Sequence, residues 1–513
     1  MVPFSTPSPT RLPHRSLLGG GVLLLCSLAL APVVGLGWFA FGNGSGLGLD
    51  LGVDGSAQVS NTIALVALVG LLTALLGTAT GWLTARCAFP GRRWLRMAQL
   101  LPLATPSYLL AATWIDLGSR YGLRVHGFSP TLLVMVLSTY SYVFLLSTES
   151  FSVSGRRQLE ACRSLGVGPW GSFQRVALPM ALPAIGAGVA LGGMEVVNEL
   201  GAVQLLGVPT LSNGILMRWQ QDGDPQGAVA LALLALVIVA LLVGAERSLR
   251  QRSRCWNLGN DGDADPHWRL QGWRQWGSQL VCGLPPLISL GVPLVWAVLS
   301  WDQLRSEDSG ELLALGGRSF GLALLAAVLT VACGLVLAIA KRWIPQAVLQ
   351  RLAFLSGLGY AIPGTVLALA LMLIGGPLAL APLLLLVWGY ADRFLAVAKG
   401  GLDAALERIP PSVDEAATSL GNSWLGVLQR VHLPLLRGPL LVGGLLVFVD
   451  TVKELPLTFA LRPFDFDTLA VRVYQYASDE RVGAALVPAL LILALGVVAA
   501  MALIPSLERL ERR

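Results

Sequence analysis

The chain is poor in charge. Of its 513 residues only 13% are Asp, Glu, Lys or Arg, whereas 54% are hydrophobic. Such a composition provides too little polar surface to cover a water-soluble body of this size. The sequence therefore predicts a protein embedded in a lipid bilayer.

Metal-ligating and nucleotide-binding patterns are also lacking. The six cysteines include no CxxC pair, and the four histidines lie far apart, so we expect neither a disulfide framework nor a metal site. No GxxxxGK[ST] phosphate loop occurs, so we expect no bound cofactor and no ATP hydrolysis by this chain. It is not expected to be an enzyme.

Long apolar runs are abundant. A run needs about 20 residues to cross a bilayer, and twelve qualify, which predicts an all-α polytopic membrane protein. The first run follows basic residues, so a signal peptide is the alternative interpretation, but its length favours an uncleaved helix. The runs cover approximately 17–41, 59–85, 97–117, 129–148, 181–206, 226–246, 277–301, 316–340, 352–375, 378–398, 438–460 and 483–505.

Basic residues set the predicted orientation. Most of the 36 Lys and Arg fall on one side if the N-terminus is inside, and basic residues accumulate in cytoplasmic loops. Twelve spans then place both termini in the cytoplasm. The net charge of +6 reflects this orientation, and no nucleic-acid partner is needed to explain it.

An internal repeat divides the chain. Residues 160–179 and 415–434 share 11 of 20 identities without a gap, at an offset of 255. Four apolar runs precede each copy and two follow it. We therefore predict two transmembrane halves, 1–246 and 276–513, related by a pseudo-twofold axis and joined by a cytoplasmic linker, 247–275.

Each repeated segment reads as a helix, a turn and a second helix on the cytoplasmic side. Gly166 and Gly421 suit the left-handed conformation that ends a helix, and Pro179 and Pro434 are expected to limit the second one. Such an exposed element is suited to docking another protein. Simple loops that cap the bundle are the alternative, although capping alone does not explain the matched Gln, Arg and Val.

The repeated Glu-Ala, Gly and Leu-Pro pattern resembles that of permeases of binding-protein-dependent ABC importers. The resemblance implies the type I importer fold in the bacterial inner membrane, two copies of a separate ATPase subunit that uses ATP, a periplasmic binding protein and surrounding lipid. It also implies that segments 155–180 and 405–434 are coupling segments. The residues that carry this role over are Glu160, Ala161, Gly166, Pro179, Glu415, Ala416, Gly421 and Pro434.

Two other classes compete with this interpretation. Secondary transporters also have twelve spans and repeated halves, but they need no docking segments for an ATPase. A structural membrane scaffold would not require charged residues within its spans.

The substrate is indicated by two stretches. Residues 450–480 and 194–215 resemble the matching parts of ferric-iron permeases with two fused halves. Thiamine, polyamine and phosphonate permeases are related and remain alternatives.

Acidic residues occur within the fifth and eleventh apolar runs. Glu195 and Glu199 correspond to Asp450 and Glu454 at the repeat offset, and a spacing of four would place each pair on one helix face. Charges within a span normally face a bundle interior or a wet cavity. We therefore predict a pathway lining for a hard cation; the alternative is structural pairing, with Lys453 neutralised by its acidic neighbours.

Arginine and aromatic residues follow these two runs on the predicted outer side. They are candidates for contact with the binding protein, although anchoring at the membrane interface is an equal alternative. The candidates are Arg218, Trp219, Arg472 and Tyr474.

Overall fold

The structure is a computed structural model, and it is almost entirely helical. It describes residues 15–42, 52–153, 161–162, 164–254, 268–305, 309–344 and 346–511. The first-half elements are α1 Arg15–Gly42, α2 Gly52–Arg86, β1 Cys87–Ala88, α3 Arg92–Ala98, a 3-10 turn Leu101–Ala104, α4 Ser107–Arg120, α5 Phe128–Val153, α6 Pro169–Ser172, a π turn Phe173–Ala177, α7 Leu178–Asn198, α8 Gly201–Leu205, α9 Leu211–Gln220, α10 Pro225–Arg254 and β2 Trp268–Arg269.

The second half repeats much of this order. Its elements are α11 Trp273–Pro286, a π turn Leu287–Gly291, α12 Val292–Leu299, a 3-10 turn Trp301–Arg305, α13 Ser309–Trp343, α14 Ala347–Leu355, a 3-10 turn Ser356–Ala361, α15 Gly364–Gly375, α16 Pro382–Glu407, α17 Pro411–Ser419, α18 Trp424–Val427, a π turn Leu428–His432, α19 Leu433–Lys453, α20 Pro456–Leu461, α21 Leu469–Ser478, a 3-10 turn Val482–Ala485 and α22 Leu486–Glu511.

The expected all-α polytopic membrane fold is confirmed. Within the described residues, eight helices are long and apolar enough to cross a membrane, and ten spans result if each of two bent helix pairs is counted as one. This is fewer than the twelve predicted runs. Asp392 and Arg393 interrupt the apolar sequence of α16.

The helices form two compact units. One contains residues 1–38, 320–360 and 370–451, and the other contains 39–319, 361–369 and 452–513. The first unit thus takes α1 from the first sequence half. Here Val22 and Cys26 of α1 pack against Leu337 and Leu395, and Trp388 Nε1 donates to the Leu28 carbonyl at 3.1 Å.

The second unit is built around α2, α5 and α7. A Cβ at Gly188 would lie 2.6 Å from Val143 Cα, and a Cβ at Gly77 would lie 2.6 Å from Val143 Cβ. Glycine therefore lets these backbones approach closely, as is usual between helices in a membrane. The same unit includes α12, where Trp296 Nε1 donates to Asp116 Oδ2 at 3.1 Å.

The predicted linker is partly structured. Helix α10 continues to Arg254, so residues 247–254 are helical instead of forming a loop. At the other end, β2 pairs in parallel with β1, with Cys87 opposite Trp268 and Ala88 opposite Arg269.

Matched π turns precede both repeated prolines. The turns Phe173–Ala177 and Leu428–His432 are separated by the repeat offset of 255. The helix then continues through Pro179 and Pro434, so the prediction that these prolines limit it is wrong. Proline in an α-helix removes one hydrogen bond and clashes with a carbonyl of the preceding turn, and the wider π turn accommodates this change.

Candidate translocation site and coupling segments

Two helix breaks lie at matched positions of the repeat. Helix α7 ends at Asn198 and α8 begins at Gly201, while α19 ends at Lys453 and α20 begins at Pro456. Glu199 and Glu454 lie in these breaks. The prediction that each acidic pair shares one face of a continuous helix is therefore wrong, because Gly201 and Pro456 begin a new helix just beyond the second acid.

Glu199 supports the break of the first half. Its Oε1 accepts from the Ala202 backbone N–H at 2.8 Å, and its Oε2 accepts from the Ser107 hydroxyl. Because the first N–H groups of a helix have no partner within the helix, the carboxylate satisfies one that would otherwise be costly to bury in a membrane.

Glu454 has the same place in the second half and is 6% exposed. Its Oε1 accepts from the Leu457 N–H at 2.9 Å, while its Oε2 accepts from the Thr458 N–H at 2.9 Å and the Thr458 hydroxyl at 2.7 Å. The two carboxylates therefore have equivalent structural roles.

Two bent helix pairs meet these breaks. The helices bend by 91° before α4 and by 116° before α15. Ser107 begins α4 and contacts Glu199, while the Gly364 N–H that begins α15 donates to Asn198 Oδ1 at 2.6 Å. A Cβ at Gly364 would be 3.1 Å from Glu454 Oε1. We call Asn198, Glu199, Glu454, Ser107 and Gly364 the break cluster.

Tyr108 packs beside the break cluster and is 3% exposed. Its hydroxyl donates to the Lys453 carbonyl at 3.3 Å. A Cβ at Gly201 would lie 2.6 Å from both Tyr108 Cβ and Leu455 Cδ2, so only glycine fits this approach of the two breaks.

The remaining predicted pathway residues lie on the helices before the breaks. Glu195 is half-buried on α7 and accepts from the Tyr142 hydroxyl at 3.2 Å. Lys453 is half-buried and donates to the Leu103 carbonyl at 3.2 Å. Asp450 is half-buried on α19, in the other compact unit. The structure therefore brings Glu199 and Glu454 into one cluster.

The two predicted coupling segments share one turn geometry. The N–H of Val167 donates to the Cys162 carbonyl at 2.9 Å, and that of Asn422 donates to Ala417 at 3.2 Å. The glycine before each donor has a positive φ, 74° at Gly166 and 81° at Gly421. These are Schellman turns, which satisfy the last carbonyls of a helix.

The faces of these segments are exposed and apolar at matched positions. Leu165 is 80% exposed and its repeat partner Leu420 is 82% exposed, while Trp170 and its partner Leu425 are 67% and 44% exposed. Ala161, Pro179, Glu415, Ala416 and Pro434 are also exposed. Glu160 lies outside the described residues.

The predicted contacts for a binding protein differ in accessibility. Arg218 has a 12% exposed side chain 3.7 Å from Asp224, and Trp219 is partly buried. Arg472 pairs with Glu311 and lies 4.0 Å from Asp467. These three side chains are partly accessible, and the first and third are already engaged by acids.

Tyr474 is not a surface residue. It is 4% exposed, and its ring packs edge-on against Phe459 with centroids 5.2 Å apart. Burial raises the pKa of its phenol, and an interaction with Ser478 opposes the rise. The prediction that Tyr474 contacts a docked protein is therefore wrong for this conformation.

Tyr474 is one of the residues that line a polar cavity of about 610 Å³. Arg472 and Arg481 lie over the ring of Tyr476, with guanidinium-to-centroid distances of 5.6 and 5.5 Å. Cations over an aromatic face are attracted to it. Arg481 is exposed, was missed in the sequence, and could have been found only from its proximity to Tyr476 in the fold.

Comparison with known proteins identifies the family. Residues 77–254 match a family model described as "Binding-protein-dependent transport system inner membrane component". A "probable molybdenum ABC transporter permease protein" of Haloferax volcanii is 31% identical over 194 residues, which are 36% of this chain and 72% of the relative. The chain belongs to the permease family of binding-protein-dependent ABC importers.

Two other relatives show how much of such a permease is represented. The Fe(3+)-transport system permease protein FbpB 2 of Haemophilus influenzae is 28% identical over 441 residues, which are 83% of this chain and 85% of the relative. The sulfate transport system permease protein CysT of Escherichia coli is 26% identical over 271 residues, which are 48% of this chain and 97% of the relative. Family membership decides against a secondary transporter and a structural scaffold.

Proposed function

We propose that this permease imports ferric iron delivered by a periplasmic binding protein. The observation that carries the proposal is the extent of similarity to the Fe(3+)-transport permease, which covers 83% of the chain and hence both halves. The molybdenum and sulfate relatives cited above cover 36% and 48% of it. General permease similarity would account for one half at a time, whereas the iron relative accounts for the fused arrangement.

The charges around the break cluster support a cationic substrate. Glu199 and Glu454 belong to the cluster, Glu195 lies one turn before Glu199, and Lys453 is the basic residue beside them. A surplus of carboxylates repels sulfate or molybdate and attracts a hard cation, for which oxygen is the preferred ligand. These carboxylates would therefore oppose the passage of an oxyanion.

The contacts suggest that two of the four acids have a structural role and that the other two line the pathway. Glu199 and Glu454 hold the helix breaks, so their oxygens are committed to backbone and hydroxyl donors. Glu195 and Asp450 lie on helices one turn earlier and remain the candidates for lining the path. The ligands that coordinate iron most tightly belong, in this proposal, to the binding protein.

Energy reaches the pathway through the two coupling segments. The exposed Leu165, Trp170, Leu420 and Leu425 form matched apolar faces for two copies of an ATPase subunit, which uses the ATP. Glu160 and Glu415 are the candidate acidic contacts. The chain itself binds no cofactor and no nucleic acid, and both termini lie in the cytoplasm when it is inserted in the lipid of the inner membrane.

The binding protein would dock on the outer side, at the segments after the two breaks. Arg218, Trp219 and Arg472 remain candidates, and Arg481 joins them because it is exposed at the rim of the polar cavity. Arginine and aromatic side chains are enriched in protein interfaces.

The substrate is tested by uptake into proteoliposomes. The permease is reconstituted with the ATPase and binding protein encoded beside its gene, and radioactive iron is offered in competition with molybdate, sulfate, thiamine, a polyamine or a phosphonate. ATP-dependent iron uptake that none of these compounds reduces supports the proposal. Uptake of one of the competitors, with no iron uptake, would reject it.

Coupling is tested separately by changing Glu160 and Glu415 to Ala together. The variant should insert normally but lose its ability to retain or stimulate the ATPase. Undiminished transport would exclude the proposed role of these two residues.

A further inference from the structure

A network of charged and aromatic side chains joins the second coupling segment to neighbouring helices. Asp414 lies in the first turn of α17, and its Oδ2 accepts from Arg342 Nε at 2.7 Å and from Trp343 Nε1 at 3.2 Å. His432 Nε2, in the following π turn, lies 3.0 Å from Asp414 Oδ1. One carboxylate thus contacts both the end of α13 and the start of the helix that leads to Lys453.

Arg342 extends the network to a third helix. Its Nη1 donates to the carbonyls of Leu406 and Ile409 at 2.8 and 2.9 Å, and its Nη2 donates to that of Pro410 at 3.1 Å. These are carbonyls at the end of α16 and just beyond it, which lack partners within the helix. The guanidinium has fixed fork geometry, so it holds α13, the end of α16 and α17 in one arrangement.

Both members of the central ion pair are shielded from solvent. The side chain of Arg342 is 13% exposed and that of Asp414 is 19% exposed. Loss of one partner in a shielded pair leaves the other charge uncompensated, which is far more disruptive than loss of an exposed pair.

The four positions that form this network are occupied by other residue types in the first half. Subtracting the repeat offset of 255 from Arg342, Trp343, Asp414 and His432 gives Cys87, Ala88, Leu159 and Ala177. None of these four can form the ion pair, although the surrounding segment is highly similar between the halves.

In the first half, aromatic packing lies beside the coupling segment, and the buried Arg86 donates to the Ser152 carbonyl at 3.3 Å. Trp82 lies 5.4 Å from Phe151, 5.1 Å from Phe173 of the π turn and 5.4 Å from Trp268 of β2, measured between ring centroids. The two segments therefore share their exposed faces and their Schellman turns, while the positions of the Arg342–Asp414 pair differ between them.

We propose that Arg342 and Asp414 are positioning residues that make the second coupling helix, α17, move as one body with α13 and α16. This inference rests on the proposed function only in that both segments dock an ATPase, and it does not depend on which substrate is carried.

The test uses Asp414→Asn in the complete complex with its ATPase and binding protein, reconstituted in proteoliposomes. Asparagine keeps the side-chain size and removes the charge. We expect ATP hydrolysis to stay near the wild-type rate, transport to fall by about tenfold, within the range of roughly 5- to 150-fold seen for coupling between sites, and amide hydrogen exchange to rise over residues 411–419. Exchange over residues 164–172 should not change.

Two further variants provide the control and a milder perturbation. Lys341→Met removes the contacts of Lys341 with Glu407 at 3.0 Å and with Asp403 at 3.5 Å. Glu407 is exposed and Asp403 keeps its pair with Lys399 at 2.7 Å, so this variant should alter neither transport nor exchange. Trp343→Phe retains an aromatic, though smaller, ring and removes one donor to Asp414, so a smaller loss of transport with retained hydrolysis is expected.

Three outcomes would overturn the proposal. One is unchanged exchange over 411–419 in Asp414→Asn, and another is a parallel fall of hydrolysis and transport in both Asp414→Asn and Trp343→Phe, which indicates a purely structural role. The third is an equal effect of Lys341→Met. If the wild-type complex carries no iron, the proposed substrate fails, but exchange and hydrolysis still decide the role of the ion pair.

Discussion

At the scale of single residues, the acids of the predicted pathway separate into two kinds. Glu454 accepts from the backbone N–H groups of Leu457 and Thr458 that begin a helix, whereas Glu195 accepts from the Tyr142 hydroxyl. The sequence predicted the acids and their repeat, but it did not predict the helix breaks. The signal was present in Gly201 and Pro456, which are easily overlooked inside a long apolar run.

Glutamine substitutions distinguish the two kinds of acid. Glu454→Gln should destabilise the protein by roughly 1–3 kcal/mol, because its amide NH₂ then faces a backbone N–H that loses its acceptor. Glu195→Gln should leave stability unchanged and slow iron uptake, because only charge is removed. Thermal unfolding of the purified complex and uptake at matched abundance measure the two effects; a stable Glu454→Gln protein would contradict the structural role.

The same reasoning applies to the pair in the first half. Glu195→Gln combined with Glu199→Gln should give both effects together, reduced stability and slowed uptake. Unchanged uptake in this double variant excludes a charge role for these two residues.

Burial alters how the cysteines can report topology. Cys87 is 2% exposed, and burial raises the pKa of its thiol to about 11, with Arg92 opposing the rise. The reactive thiolate is therefore scarce at every pH up to about 9, and its fraction grows only as the pH approaches 11. An unlabelled Cys87 is therefore expected on either side of the membrane, because the thiol is buried. The sequence alone did not reveal this burial.

Cys162 is the informative cysteine because it is half-exposed in the first coupling segment. A membrane-impermeant thiol reagent at pH 8 should miss it in intact cells and label it in inverted vesicles. Cys162→Ser provides the control for labelling at the other cysteines; Cys255, also predicted to be cytoplasmic, lies outside the described residues. Labelling of Cys162 in intact cells would invert the local topology.

At the scale of elements, the coupling segments follow from sequence more directly than the broken spans do. Gly166 and Gly421 indicated left-handed helix ends, and both adopt positive φ. The π turns could not be predicted in the same way, because proline usually ends or kinks a helix and nothing local specifies a wider turn. The Asp414 network was missed because its members are up to 90 residues apart in sequence.

Alanine at Gly421 should strain the second segment. A residue with a Cβ in the left-handed conformation costs roughly 1–2 kcal/mol, so the end of α17 should fray and retention of the ATPase should fall. Gly426→Ala is the matched control, because Gly426 lies within five residues and has no positive φ. Co-purification of the ATPase measures the difference, and equal retention by both variants would show that the turn is dispensable.

At the scale of the whole molecule, the repeat predicted two halves, while the contacts group the helices differently. Helix α1 of the first half packs on α13 and α16 of the second, and α12 of the second half packs on α4 of the first. Sequence repetition reveals ancestry and connectivity, but it cannot show which helices pack across the repeat. That choice depends on side chains such as Trp296, which is fully buried.

Packing across the repeat predicts that the two halves assemble when the chain is divided. Expressed together as residues 1–260 and 261–513, they should co-purify through a tag on either half, because each first helix has its packing partners in the other half. Trp296→Ala should weaken this association, since removing a buried tryptophan costs about 3–5 kcal/mol and also takes a donor from Asp116. Trp273→Ala is the control, because Trp273 is 79% exposed at the start of the neighbouring helix α11. Equal co-purification of both variants would mean that Trp296 contributes little to the association of the two halves.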